Sequence, residues 1–416
     1  MTLAFFLAAP ILIGYGIGWR YNSTSRHLEK VSALSITSTP RGASVYVNNE
    51  LQQKQTPFSI NHLYASNYQV KLEKSGYYAW EKNVRTYADR VTRLPNAYLV
   101  KKQNFEASIL TTPIESMYVS PSGSRIMIAH QLELTAYLQT GIRQWEYRLP
   151  AEVADIQWSA DESLLLVTTA SSSTPLVINS YDGSRSNFAL PDTGTIYEYF
   201  WSQDVGTILY CRTNQAVYEI NLARQITQQL PEPPIQKYGD TSLRIMRDLE
   251  LATWETSDGE LIASLPVPIL HTLKIVASGH FLFVQDATNR SLFTIDVQTR
   301  QSKPLGKNII ATMWGAERKQ LLYASSNELW LYDPQTVTQE LILRTSQEIT
   351  NAQLMINDQY IGYVPGGQNL TLFEISDLPR NTYVLPTDKT TGLVTLPNRM
   401  TAYLSTETEV FPLVFE

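Results

Sequence analysis

This chain of 416 residues contains one cysteine and five histidines. A single thiol, Cys211, excludes an internal disulfide framework and any cysteine-based zinc site. It sits in the apolar run Thr207-Ile208-Leu209-Tyr210-Cys211, a setting that predicts a buried free thiol rather than a nucleophile. The histidines, His27, His62, His130, His271 and His280, are scattered without metal-ligand spacing, so no metal is expected. No glycine-rich phosphate loop, no Gly-x-Ser-x-Gly elbow and no Ser/His/Asp arrangement in a recognisable context is present, so the sequence nominates no catalytic or cofactor-binding residue. Charged residues make up only 17% of the chain. The polar share is carried by Tyr, Thr, Ser, Gln and Asn, a mixture that suits exposed sheet faces.

Long apolar runs are also scarce. The one that exists covers residues 2–19, from Thr2 to Trp19, and carries no charge. At 1.5 Å per residue it would reach about 27 Å, close to the hydrocarbon thickness of a bilayer. Trp19 and Tyr21 stand where interfacial aromatics belong. This predicts a transmembrane anchor over residues 1–20; a cleaved signal peptide is the alternative, although no small-x-small cleavage site follows the run. Arg20, Arg26 and Lys30 follow it and no basic residue precedes it. That order, read by the positive-inside rule, places the rest of the chain in the cytoplasm.

Beyond a linker at 21–32, the stretch Thr39-Pro40-Arg41-Gly42-Ala43-Ser44-Val45-Tyr46-Val47-Asn48-Asn49 alternates apolar and polar residues with the period of a half-buried strand. Pro40 pre-sets a turn before it, and Gly42 permits a backbone conformation that a side chain resists. Thr56-Pro57 leads into Phe58-Ser59-Ile60, then come alternating Tyr68-Gln69-Val70-Lys71-Leu72-Glu73 and a Ser75-Gly76-Tyr77 turn. The order and spacing resemble a PEGA domain over residues 33–102. Arg41 replaces that family's Glu, while Asn49 and Asn67 stand where Gly is common. Asn tolerates left-handed backbone, so both turns are expected to survive. The resemblance implies a small extracytoplasmic β-sandwich used as an envelope module, with no catalytic residues to transfer.

From about residue 104 a unit recurs roughly every 40 residues. Clear copies are Ile156-Gln157-Trp158-Ser159-Ala160-Asp161-Glu162-Ser163-Leu164-Leu165 and Tyr199-Phe200-Trp201-Ser202-Gln203-Asp204-Val205-Gly206-Thr207-Ile208. Each holds an apolar strand, a polar turn and a second apolar strand. A third strand, such as Leu329-Trp330-Leu331-Tyr332-Asp333, and a more polar fourth complete it. Four strands in that length make a β-propeller blade, and the loose Ser120-Pro121-Ser122-Gly123 turn resembles those of TolB-like and WD-type propellers. The Ser202 turn partly resembles the Asp-box of sialidase propellers, but it lacks the following aromatic and occurs once. Aligning positions 118, 158, 201, 238, 275, 314, 354 and 393 gives eight blades, with seven as the alternative because residues 231–268 are irregular. The last unit supplies only three strands, and the orphan strand 103–110 is expected to be its fourth, closing a propeller over 103–416.

The fold class is therefore all-β: a PEGA-like sandwich and a propeller behind one N-terminal transmembrane helix. Charge is divided between them. Residues 30–103 carry eleven basic and four acidic residues, net +7, and residues 104–416 carry 20 basic and 34 acidic, net −14. That sign disfavours nucleic acid as a partner of the propeller, whereas the basic module suits anionic head groups or wall polymers. The expectation is a cell-membrane protein with its body outside the cytoplasm. It would bind a protein or cell-wall glycan at the propeller face, without a cofactor and without catalysis. A propeller hydrolase or lyase acting on envelope polysaccharide or peptide is the alternative.

Overall fold

The computed structural model describes residues 2–23, 25–102, 108–170, 172–190, 195–238, 241–376, 380–387 and 389–415. Among the described residues one helix, Thr2–Gly16, is followed by 43 strands. The helix corrects the expected span. It has 15 residues, or about 22 Å, short of the roughly 30 Å apolar thickness. It ends because Gly18 takes a φ of +94° and the chain turns directly into Trp19–Asn22, which pairs antiparallel with His27–Lys30. The stretch read as a linker is thus mostly a hairpin. Among the described residues no helix is long and apolar enough to cross a membrane.

Two compact units follow from the chain's contacts: residues 1–104 with 372–385 and 415–416, and residues 105–371 with 386–414. In the first, a four-stranded sheet runs in the order Glu50–Gln55, Ser44–Val47, Asn67–Glu73, Trp80–Arg85, and a three-stranded one in the order Val91–Arg93, Ser32–Ile36, Phe58–Leu63. The alternation read at residues 43–48 is the cause: Ala43, Val45 and Val47 point into a core with Leu34, Ile36, Val70, Leu72 and Trp80. Asn49 holds the left-handed turn at φ +68°, as its substitution for Gly requires. Asn67 does not need that conformation, because it is already paired with Arg85 inside a strand.

Within this unit Glu374 is a buried acceptor. Its carboxylate accepts from the Trp80 indole (3.2 Å) and from Asn381 Nδ2 (2.6 Å), and it pairs with Lys82 Nζ at 3.2 Å. The Asn381 side chain also bonds both the N–H and the carbonyl of Glu81, each at 3.2 Å.

The second unit is a β-propeller. Its strands belong to antiparallel four-stranded sheets, each taken from one continuous stretch: 116–148, 153–186, 196–230, 235–265, 273–306 and 309–344, after which Ile349–Met355 pairs with Tyr360–Pro365. The irregular segment 231–268 thus forms a full sheet of its own, packed around buried Trp254, Leu243 and Val267. One more sheet joins Gly392–Thr395, Thr401–Ser405 and Glu409–Val414 to Leu110–Thr111, with Leu110 opposite Val410. Of the strand expected at 103–110, residues 103–107 lie outside the described residues.

Candidate functional site

The first strand of each sheet faces its counterparts in the neighbouring sheets: Leu273–Ser278 touches Ile309–Gly315, which touches Ile349–Met355, which touches Gly392–Thr395. These four strands bound a pocket of about 360 Å³ lined by Lys274, Thr312, Thr350, Asn351, Gln353 and Thr395, with Gln285 behind them. The amides are already committed. Gln285 donates to the Ile309 carbonyl (3.0 Å) and accepts from the Thr312 hydroxyl (3.1 Å). Asn351 and Gln353 both donate to the Leu393 carbonyl, at 3.1 and 2.6 Å. Gln353 also accepts from the Thr395 N–H at 2.5 Å. The buried Thr395 hydroxyl has no partner.

The lining is thus a set of fixed amides and hydroxyls with a single charge, Lys274, and it holds no carboxylate, imidazole or thiol. Groups of this kind bind polar ligands; an acid–base pair poised for proton transfer is not among them.

The histidines are placed apart. His271 Nδ1 lies 2.9 Å from the buried Asp286 carboxylate, His280 3.8 Å from Asp296, and His130 3.5 Å from Glu115. His27 and His62 are on exposed strands of the first unit. No three metal-ligating side chains converge among the described residues. Cys211 is fully buried, and burial pushes its thiol up to about 11, only partly opposed by a hydrogen bond with Tyr199. The turn after Ser202 is a strand connection: the Ser202 hydroxyl accepts from the N–H groups of Asp204 and Val205 at 3.3 and 3.2 Å.

Sequence reading missed a charged cluster shared by two neighbouring sheets. Glu198 bridges two guanidinium groups, Arg247 at 2.8 Å and Arg212 at 3.6 Å. Arg247 also donates to the carbonyls of Pro268 (2.6 Å) and His271 (2.8 Å). Burial, the largest influence, draws Arg247 below the usual guanidinium range, and Glu198 opposes it. The signal was a pair of arginines, Arg212 and Arg247, each following an apolar residue inside a strand pattern. A groove of about 310 Å³ elsewhere is lined by Tyr323, Trp330, Glu328 and Asn308; the two aromatic rings lie parallel within 4° at 6.3 Å.

With this geometry in hand, the likenesses to known proteins are specific for one part and general for the other. Residues 31–102 match the PEGA domain. No curated protein matches the chain. Among solved structures, Sqt1 of Saccharomyces cerevisiae is similar at 10% identity, with a TM-score of 0.52, over 74% of this chain and 98% of that one. BamB of Moraxella catarrhalis is similar at 12% identity, with a TM-score of 0.46, over 74% and 98%. The Cps50 (Swd1) β-propeller domain of Myceliophteria thermophila gives 12%, 0.43, 74% and 97%. At such identities the likeness concerns the fold alone.

Proposed function

We propose that this protein is a membrane-associated binding module: an eight-bladed propeller that holds a protein partner at its central cavity, behind a basic PEGA domain at the membrane surface. The observation that carries the reading is the cavity lining, in which preset amides and hydroxyls surround Lys274 without an acid, base or nucleophile. A concave ring centre lined by strands from several blades binds without needing chemistry. The run of four-stranded sheets supports the count of eight.

Membrane association is supported by the helix Thr2–Gly16. It has no charged residue, and in its second half Ile11, Leu12, Ile13 and Tyr15 are all exposed. A helix apolar all round belongs in lipid or in a core. Arg20 follows at once, and the net +7 of residues 30–103 suits an anionic surface. The reading takes the body to be outside the cytoplasm, which the PEGA resemblance favours and the positive-inside order of Arg20, Arg26 and Lys30 opposes.

Two measurements test this. A photo-crosslinking residue at Thr350 is expected to capture a protein other than this chain in living cells, whereas one at the exposed Lys389 is not; equal or absent capture at both sites sinks the cavity reading. Protease added to intact cells is expected to degrade residues 30–416, and protection until the membrane is breached reverses the orientation. Removing residues 1–18 is expected to release the protein from the membrane fraction.

A further inference from the structure

Outside the N-terminal stretch the most exposed large apolar side chains of the described residues are Leu270, at 70%, and Leu249, at 69%. They stand on adjoining turns, because the N–H of Ile269 donates to the carbonyl of Asp248 at 2.9 Å. Met246, on the strand that leads into the first turn, and Leu251, within that turn, are also exposed. Exposed leucines on loose loops would be unremarkable, but these turns are held. Asp248 caps its own turn, accepting from the N–H groups of Glu250 (2.8 Å) and Leu251 (2.6 Å). Leu270 lies between Pro268 and His271, the two residues whose carbonyls receive Arg247, and the Arg247 side chain is only 1% exposed and paired with Glu198. A buried ion pair is costly to place; here it fixes a loop whose apolar residue points to solvent. Fixed apolar groups lose little entropy on binding and so act as anchors.

The charges around the patch select its occupant. Residues 231–271 contain seven acidic and three basic residues. Arg247 is spent on Glu198, Arg244 on Glu232, and Lys237 faces Asp204. Asp248 and Glu250, both on the first of the two turns, have no cationic partner among the described residues. We infer that the turns at 248–251 and 268–271 form a docking surface for a basic amphipathic segment of a partner protein, its apolar face on Leu249 and Leu270 and its lysines or arginines on Asp248 and Glu250. This inference rests on the reading that the propeller binds protein, but it uses a surface other than the central cavity.

The test uses the full chain and three synthetic 18-residue peptides measured by fluorescence anisotropy: an amphipathic Leu/Lys helix, a Leu/Glu helix of the same pattern, and a Lys/Ser peptide without an apolar face. The Leu/Lys peptide is expected to bind saturably. The double substitution L249S/L270S is expected to weaken it at least tenfold, with an unchanged melting temperature. Val337→Ser, at another exposed apolar site, is expected to leave binding unaltered. Equal binding of the Leu/Glu peptide, or of Leu/Lys peptide to L249S/L270S, overturns the inference. So does self-association, or binding to phosphatidylcholine/phosphatidylglycerol vesicles, that is lost in the double variant. Cavity crosslinking from Thr350 that persists in L249S/L270S leaves the proposed function standing whatever the peptides do.

Discussion

Single residues in this chain are decided by what surrounds them, and Cys211 is the plainest case. Placed in the middle of a strand with Tyr199 opposite it, it is shut from water, and burial lifts its thiol to about 11 against the opposing hydrogen bond with Tyr199. A thiol with that value holds almost no thiolate at neutral pH, and the thiolate is the reactive form. A disulfide reagent such as DTNB at pH 8 is therefore expected to leave the native protein unmodified and to titrate one thiol in guanidinium; rapid reaction of the native form would place Cys211 at an accessible surface. Gly206 shows the same dependence on neighbours: a Cβ there would overlap the Asp161 carboxylate. The sequence marks it only as a turn residue.

Individual elements show what periodicity can and cannot deliver. The alternation at residues 43–48 led directly to a strand and its buried face, because a period of two leaves no other way to hide Ala43, Val45 and Val47. The recurring strand–turn–strand pattern led to the sheets for the same reason. Lateral ties between sheets were not legible. The Glu162 carboxylate accepts from the N–H and hydroxyl of Ser122, and Asp358 accepts from the N–H of Glu317, at 2.6 to 2.9 Å. In sequence these are polar turn residues like any other, and only folding brings each to the turn before it. The N-terminal helix failed for a different reason: an uncharged run sets an upper bound on a span, and Gly16 and Gly18 ended it early. Glu374 was equally invisible. Its substitution by Ala leaves Lys82 and the Trp80 indole buried without their acceptor. That is expected to cost about 3 kcal/mol, readable as a lowered denaturation midpoint, while Glu340→Ala on an exposed strand is expected to change little.

At the scale of the whole molecule the chain returns on itself. Leu110–Thr111 completes the sheet of Glu409–Val414, so no first or last sheet is left with an open edge at that place. Deleting residues 1–108 is expected to keep this strand, and deleting 1–112 to lose it. Both deletions remove Trp80 and Lys82, so the difference between them isolates the closing strand. The longer deletion is expected to melt several degrees lower and to aggregate at micromolar concentration; identical melting would mean that the strand does not hold the ring. The same pairing fixes an order of events during synthesis. Strands within each sheet meet their neighbours within tens of residues, so sheet after sheet can form as the chain leaves the ribosome. Leu110 must wait for Val410, made far later, and Trp80 must wait for Glu374. Long-range pairings of this kind are the slow ones. Until Val410 is made, the nascent propeller carries an unpaired strand on each side of its gap, and that interval is when a chaperone or a second nascent chain would find it.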